Sequence, residues 1–312
     1  MTGTRGTRTV VLGYHTMGCL GFEALLAHGF EVVAVFTHRD DPREEVWWES
    51  LAGKAEAKGI PVYYPEDAKS PEVREVIASY EPDFLFSFYY RFMIPPAVLA
   101  LARRSKLNLH GSLLPRYRGR APVNWVLVEG ERETGVSLHY MVEQPDAGAL
   151  VDQERVAIDF ADTAFTLYGK LEAAARKVLD RALPALAAGT ARATPLDLTQ
   201  GSYRGGRKSA DGRIDWSWPA RKIYDLVRAV THPYPGAFTT LEGRRLLIWW
   251  ALPADGGGAP GTVIAVDRDG ITVAAGEGSI RLITVQLEGQ PELPACSLAL
   301  AARIAPGDRL GS

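Results

Sequence analysis

The residues of this sequence that are best suited to chemistry are Asn108, His110 and Asp146. Asn108 and His110 lie in the apolar run LNLH, which reads as the end of a strand, where side chains two apart point to the same face. An amide and an imidazole would therefore project side by side where the strand opens into a glycine-containing loop. Open parallel sheets bind ligands at the carboxyl ends of their strands. Singly, such residues are more often structural, but the set of three favours chemistry.

The three side chains together suit a group-transfer reaction. A carboxylate beside a histidine stabilises the imidazolium form, which suits a group that exchanges protons near pH 7. An asparagine amide is a neutral donor for a developing oxyanion. Because the set holds no Ser, Cys or Lys nucleophile, it predicts direct acyl transfer without an enzyme-bound intermediate. None of the other five histidines stands at metal-ligand spacing from His110, so no metal is expected.

Strands and helices alternate at short intervals through the first part of the chain, which predicts an α/β fold with a Rossmann-like, doubly wound parallel sheet. Strands are predicted at TVVLGY, EVVAVFTH, PVYY, FLFSFYY and KLNLHG, and a helix at WWESLAGKAEAKG. Ser70 followed by Pro71 predicts the capped start of another helix. The turn from Gly13 to Gly18 matches neither the dinucleotide fingerprint nor the Walker loop, so neither NAD nor ATP is expected.

The second part of the chain predicts a different architecture. Two antiparallel strands are expected around the turn from Gln144 to Gly148, and a long amphipathic helix from Thr163 to Ala187. Beyond residue 200, short strands with Gly and Asp-Gly turns predict a small OB-like β-barrel. We therefore expect a catalytic domain over residues 1–200 and a β-barrel domain over residues 201–312.

Composition narrows the functional classes. The 312 residues are 46% apolar and carry a formal net charge of -2. Residues 201–312 hold 13 Lys and Arg against 11 Asp and Glu, so no nucleic-acid partner is expected. Cys19 and Cys296 lie far apart and predict no disulfide framework. A polar start and the lack of a long apolar run predict a cytoplasmic protein without membrane insertion.

The stretch NLHGSLLPRYRG, with an aspartate further on, resembles the 10-formyltetrahydrofolate-dependent formyltransferases. The resemblance implies that Asn108, His110 and Asp146 are the catalytic set and that 10-formyltetrahydrofolate is the co-substrate. It is greatest to the members that formylate UDP-4-amino-4-deoxy-L-arabinose in lipid A modification, through GYHTMGCLGFEALL, FTHRDDP, FSFYYR and RGRAPVNWVLVEGERETGVSLHYM. Those proteins usually carry a further decarboxylase domain, so another nucleotide-linked amino sugar stays open as the acceptor.

Further site residues follow from the resemblance and from clustered arginines. By position in the family, the folate contacts are Phe92, Met93, Ile94, Arg120, Val142, Glu143, Gln144, Pro145 and Asp146. Ordinary core packing for Phe92 to Ile94, and a solvated charge for Arg120, are the competing interpretations. Arg116, Arg204 and Arg207 lie in irregular, glycine-containing chain and are expected to hold the diphosphate of a sugar nucleotide.

Two alternatives stay open. A methionyl-tRNA formyltransferase should carry a basic loop after the second strand and a basic C-terminal domain, whereas the loop from Arg39 to Glu45 is short and acid-rich. A non-catalytic nucleotide-sugar binding protein could use the same fold, since fold does not fix function. The sequence leaves open whether the protein forms a homo-oligomer and whether it has a separate decarboxylase partner.

Overall fold

The computed structural model describes residues 6–42 and 45–311. Arg43 and Glu44 of the acid-rich loop, together with the first five residues, lie outside the described residues. The chain forms two compact units. The first contains residues 1–122, 133–157 and 169–205, and the second contains residues 123–132, 158–168 and 206–312. The segments 123–132 and 158–168 of the second unit thus lie between stretches of the first unit along the chain, so a single cut does not separate the two units.

The first unit is built on a seven-stranded sheet. The strands of this unit are β1 (Arg8–Gly13), β2 (Glu31–Phe36), β3 (Val62–Tyr63), β4 (Phe84–Phe88), β5 (Ser105–His110), β6 (Arg118–Gly119), β7 (Glu133–Tyr140), β8 (Leu150–Ala157) and β9 (Tyr203–Arg204). The sheet has the order β3-β2-β1-β4-β5-β7-β8, while β6 and β9 form a separate parallel pair. The first five strands in this order are parallel, and β7 and β8 are antiparallel to their neighbours.

Six helices connect these strands. They are α1 (His15–Ala27), α2 (Leu51–Glu56), α3 (Pro71–Ser79), α4 (Pro96–Leu99), α5 (Pro122–Val128) and α6 (Ala164–Ala188). The predicted cap of α3 is confirmed, because Ser70 accepts a hydrogen bond from the backbone of Val73 and Pro71 takes the first helical position. The helix predicted from Trp47 begins only at Leu51, because Ser50 caps it by accepting from the Gly53 N–H.

Both faces of the parallel sheet are covered. On one face, apolar side chains of β1, β2 and β4 pack with α3 and α4 in one buried cluster, which includes Val10, Leu12, Ala34, Phe36, Val73, Ile77, Leu85, Val98 and Leu99. On the other face, Phe84, Phe86 and Phe88 stand in a row, and α1 approaches so closely that a Cβ on Gly21 would lie 2.5 Å from the Phe88 ring. The predicted Rossmann-like, doubly wound sheet is therefore confirmed.

The second unit contains an antiparallel sheet. Its strands are β10 (Ala237–Leu241), β11 (Arg244–Ala254), β12 (Val263–Asp267), β13 (Gly270–Ala274), β14 (Ser279–Leu287) and β15 (Leu293–Pro294). Their order is β10-β11-β14-β13-β12, with β15 paired to β14. The helices α7 (Ala220–Val230) and α8 (Ala295–Ala301) belong to this unit. The predicted C-terminal β domain is confirmed as an antiparallel sheet, and α8 was missed because seven residues are too few to show a helical period.

Helix α7 carries the most deeply buried charge of this unit. The Arg228 side chain is 1% exposed, and its Nε donates to Asp225 Oδ1 over 2.7 Å. Its Nη1 also donates to the carbonyls of Asp159 and Asp162. The second carboxylate oxygen of Asp225 accepts from Arg221 Nε over 2.9 Å. Asp225 therefore supplies compensating charge for the buried guanidinium.

We expect Asp225→Ala to lower the free energy of unfolding by about 3–5 kcal/mol, because it leaves the Arg228 charge buried without its partner. Urea denaturation gives this difference directly. Asp269→Ala is a matched control, since Asp269 is 60% exposed and lies only near exposed arginines, and its loss should stay within about 1 kcal/mol. Equal losses in the two variants would contradict the assignment.

Candidate active site

The structure brings Asn108, His110 and Asp146 together at the carboxyl end of β5. Asn108 and His110 are among the last residues of that strand, and their side chains share one face. Asp146 lies in the turn between β7 and β8 with φ 50°, a left-handed conformation that non-glycine residues seldom adopt. β7 pairs antiparallel with β5 so that Tyr140 lies opposite Leu107, and Asp146 in the turn that follows contacts the side chains of Asn108 and His110.

The carboxylate of Asp146 joins the site into one network. Its Oδ1 accepts from Asn108 Nδ2 over 3.2 Å and lies 3.3 Å from His139 Nε2. Its Oδ2 accepts from the Gly119 backbone N–H over 2.8 Å and lies 3.7 Å from His110 Nδ1. Burial alone would raise the pKa of Asp146, but His110, His139 and the Gly119 hydrogen bond outweigh it and hold that pKa well below its usual value. Asp146 is therefore a carboxylate at neutral pH.

His110 is oriented by a backbone carbonyl. Its Nε2 lies 2.7 Å from the Tyr117 oxygen, and the side chain is 7% exposed. Because a carbonyl oxygen only accepts, Nε2 carries a hydrogen in both protonation states of the ring. Nδ1, which faces Asp146, is therefore the nitrogen that gains or loses a proton.

His139 is a member of the site that the sequence analysis missed. It stands directly opposite Asn108 in the β5–β7 pairing, and its Nε2 lies 3.2 Å from Asn108 Nδ2. Its Nδ1 donates to the Tyr140 carbonyl over 2.9 Å. Neutral His139 thus accepts from Asn108 through Nε2, whereas protonated His139 donates to Asp146 instead. In the second case, one amide hydrogen of Asn108 becomes available to another acceptor.

The loop that follows β5 is fixed by the pairing of β6 with β9. Gly119 has φ 98°, and a Cβ at this position would collide with the Arg204 carbonyl. Only glycine therefore allows the backbone to approach β9 while its N–H points at Asp146. Tyr117 is held in the same loop by its N–H, which donates to Ser202 Oγ over 2.9 Å.

The residues predicted to contact folate fall into two groups. Ile94 is buried in the core cluster beside α4, so its side chain is accounted for by packing. Met93 and Val142 are 52% and 45% exposed, which is high for apolar side chains, and Phe92 packs edge-on against His38. Pro145 is half-buried, and Arg120, Glu143 and Gln144 are exposed.

Two of the three arginines predicted to bind phosphate lie near one aromatic ring. The guanidinium carbons of Arg116 and Arg204 lie 5.5 and 5.8 Å from the centre of the Tyr117 ring. Arg207 belongs to the second unit, where its guanidinium lies 4.6 Å from the centre of the Trp125 ring. Phosphate binding by these three arginines stays a prediction.

Comparison with known proteins assigns the family. Residues 11–183 match the model of the formyl transferase family, and residues 207–302 match the model of the formyl transferase C-terminal domain. This chain belongs to the formyl transferase family. Within residues 6–42 and 45–311 of this formyl transferase, no group of three or more His, Cys, Asp or Glu side chains is placed to hold a metal ion. Over the same residues, no helix combines the length and apolarity that a membrane span requires.

Solved structures share the fold at low sequence identity. HypX from Aquifex aeolicus in complex with tetrahydrofolic acid is 19% identical with a TM-score of 0.63, covering 95% of this chain and 47% of that one. The formyl transferase thus spans about half the length of HypX. An N-formyltransferase from Helicobacter canadensis, in complex with folinic acid and dTDP-3-aminofucose, is 18% identical with a TM-score of 0.67. The match covers 89% of this chain and 99% of that one. WlaRD, a sugar 3N-formyl transferase in the presence of dTDP and 5-N-formyl-THF, is 17% identical with a TM-score of 0.68. The match covers 92% of this chain and 100% of that one.

Proposed function

We propose that this formyl transferase moves a formyl group from 10-formyltetrahydrofolate to the amino group of a nucleotide-linked amino sugar, with UDP-4-amino-4-deoxy-L-arabinose as the first acceptor to test. The observation that carries the proposal is the network in which Asp146 joins Asn108, His110 and His139 at the carboxyl end of β5. Two of the solved structures with this fold are described with a folate and a dTDP compound, which supports the choice of donor and acceptor class.

Two exposed apolar side chains support the assignment of the folate contacts. Met93 and Val142 expose apolar surface, and the turn that contains Val142 ends in Asp146. Apolar walls beside a few placed polar groups are typical of small-molecule sites. When bound, 10-formyltetrahydrofolate supplies the formyl group. The residues that would hold it are Phe92, Met93, Arg120, Val142, Glu143, Gln144 and Pro145, whereas the Ile94 side chain packs in the core.

His110 performs the proton transfer in this proposal. The amine nitrogen of the sugar forms a bond to the formyl carbon, and the bond from that carbon to the folate nitrogen breaks. Nδ1 of His110 accepts the proton that the amine loses and returns it to the leaving nitrogen, so no external acid or base is consumed. Asp146 keeps the His110 ring in its orientation and stabilises the imidazolium form.

Asn108 stabilises the formyl oxygen as negative charge develops on it. In the structure its Nδ2 lies within hydrogen-bond distance of both Asp146 and His139. One of the two amide hydrogens must therefore turn to the substrate.

Arg116 and Arg204 are candidates for the phosphates of the acceptor. Both guanidinium groups lie against the Tyr117 ring, in the loop whose carbonyl orients His110. Planar guanidinium groups bind phosphate through paired N–H donors. Arg207 could serve such a role only from the second unit.

An acceptor panel tests the proposed function. The protein is incubated with 10-formyltetrahydrofolate and, separately, with UDP-linked amino sugars, dTDP-linked amino sugars and methionyl initiator tRNA. We expect mass spectrometry to show one added formyl group on a UDP-linked 4-amino sugar and none on methionyl-tRNA. Formylation of methionyl-tRNA with no turnover of any sugar nucleotide would overturn the acceptor class. Binding of a sugar nucleotide without turnover of any acceptor would instead support the non-catalytic alternative.

A further inference from the structure

A cavity of about 210 Å³ lies at the carboxyl ends of β1 and β2. Its wall includes aromatic side chains from three segments, Tyr14, His38, Trp48 and Tyr64. Its charged wall is formed by Arg39, Asp40 and Glu49. Cavities that enclose a complete drug-sized ligand are usually about 300–1,000 Å³, so this one suits a single part of a larger substrate. None of these residues belongs to the network around Asp146.

The carboxylate of Asp40 is held in place by two donors. Tyr14 Oη donates to Oδ1 over 2.6 Å, and Trp48 Nε1 donates to the same oxygen over 3.2 Å. Among the residues that the structure describes, no donor lies on Oδ2. Glu49, by contrast, lies 3.3 Å from Lys54 Nζ, so its charge is already paired. Asp40 is thus an oriented acceptor at the cavity, and a ligand with hydroxyl groups would match it.

We propose that Asp40 binds the ribose hydroxyls of the acceptor nucleotide and thereby selects ribonucleotide sugars over their 2′-deoxy counterparts. The inference rests on the proposed nucleotide-sugar acceptor. In doubly wound folds, an acidic residue after the second strand commonly accepts hydrogen bonds from ribose hydroxyls. Asp40 stands four residues after the end of β2, although the glycine fingerprint that accompanies such an aspartate elsewhere is missing here.

The dimensions of the sheet agree with this placement. β2, β1, β4 and β5 are consecutive parallel neighbours, and the carboxyl ends of all four lie at one edge. Three strand spacings of about 4.8 Å separate the end of β2 from the end of β5 by about 14 Å. A diphosphate and one pyranose ring, between the ribose and the reacting amine, cover a distance of that order.

Cations stand along the same edge. The Arg91 guanidinium, which follows β4, lies 4.6 Å from the centre of the Tyr14 ring, and Arg39 lies 4.5 Å from the centre of the Tyr64 ring. A diphosphate that crosses the ends of β1 and β4 would meet Arg91. The diphosphate would thus lie near Arg91 in this inference and near Arg116 and Arg204 in the proposed function. The variants of Asp40, Arg116 and Arg204 described below decide between the two placements.

Calorimetric titration with UDP and with dUDP tests the inference, since these two compounds differ only in the ribose 2′-hydroxyl. We expect the wild-type protein to bind UDP roughly 10-fold or more tightly than dUDP, the size expected for a hydrogen bond to a charged group. Asp40→Ala should weaken UDP binding by roughly 10-fold or more and bring the UDP to dUDP ratio close to one. Asp40→Asn keeps the side-chain size and should give an intermediate ratio if the alanine variant folds poorly.

Asp41→Asn is the matched control, because Asp41 is the neighbouring carboxylate and does not line the cavity. It should leave both affinities unchanged. Equal binding of UDP and dUDP to the wild type, or no UDP binding at all, would overturn the inference, as would a loss of UDP affinity in Arg116→Ala with Arg204→Ala but not in Asp40→Ala. These titrations need no turnover, so a protein that binds UDP through Asp40 but formylates no sugar would refute only the proposed function.

Discussion

Replacing His110 with alanine should lower kcat by roughly 10²–10⁴-fold, the contribution of a positioned acid–base group. The Tyr117 carbonyl fixes the hydrogen on Nε2, which leaves Nδ1 as the proton carrier, beside the permanently ionised Asp146. Alanine removes that carrier, and no other described imidazole replaces it in the same contact with Asp146 Oδ2. Steady-state formylation of the sugar nucleotide gives kcat, and circular dichroism confirms that the variant is folded.

His28→Ala is the control for the loss of an imidazole. His28 Nε2 lies 2.9 Å from Asp180 Oδ1, in a histidine–aspartate pair whose carboxylate is 67% exposed. That variant should keep near-full kcat. If His110→Ala also keeps near-full kcat in a well-folded protein, the proton carrier is another group or water.

Asp146→Asn should lower kcat on the order of 10²–10⁴-fold, comparable to other sites where an aspartate orients a catalytic histidine. The carboxylate accepts from Asn108 with one oxygen and from the Gly119 N–H with the other. An amide can accept on one side only, and its NH₂ group would face a donor on the other. Asn108, His110 or the loop that contains Gly119 must then move to avoid two donors facing each other. Asp180→Asn is the matched surface control, and unchanged kcat in Asp146→Asn would remove Asp146 from the mechanism.

The three residues should not act independently. Because they share one network, the double variant Asn108→Ala with His110→Ala should lose less than the product of the two single losses. Rate constants measured for both single variants and the double variant give this comparison. A fully multiplicative loss would mean that Asn108 and His110 contribute through separate interactions.

The depressed pKa of Asp146 fixes the sign of its pH dependence. A carboxyl whose pKa is lower in the folded state stabilises the fold above its unfolded pKa of about 3.9, and that stabilisation is lost as the pH falls through the folded value. Asp146→Asn should therefore lose less stability than the wild type on acidification below about pH 4. Since Asp146 stays ionised above that range, a limb of the activity profile nearer neutrality belongs to another group.

Local signals in the sequence were enough to predict much of the fold. The Ser70–Pro71 pair gave the start of α3, and the long apolar stripe gave α6 to within one residue at each end. Short apolar runs predicted the parallel strands, and the turn from Gln144 to Gly148 predicted the hairpin of β7 and β8. The segments 123–132 and 158–168 could not be assigned to the second unit, because that depends on tertiary packing rather than on a local pattern.

The candidate site was only partly predictable. Period-two spacing in a strand placed Asn108 and His110 on one face, as the structure has them. His139 was missed because its place opposite Asn108 depends on the register of β5 and β7, which no residue type specifies. The Tyr117 carbonyl and the Gly119 N–H are backbone groups and leave no side-chain signature. Gly119 was the one available signal in the sequence, since glycine has no Cβ and allows one segment of backbone to approach another closely.

One transfer experiment tests the central claim most directly. The protein is mixed with 10-formyltetrahydrofolate that carries an isotopically labelled formyl group and with UDP-4-amino-4-deoxy-L-arabinose, and the sugar nucleotide is recovered and weighed by mass spectrometry. The proposed function predicts one labelled formyl group on the sugar amine with the wild-type protein, and a severe loss of that product with His110→Ala. Label that stays on the folate with every amino sugar tried, or that appears only on methionyl-tRNA, would contradict it.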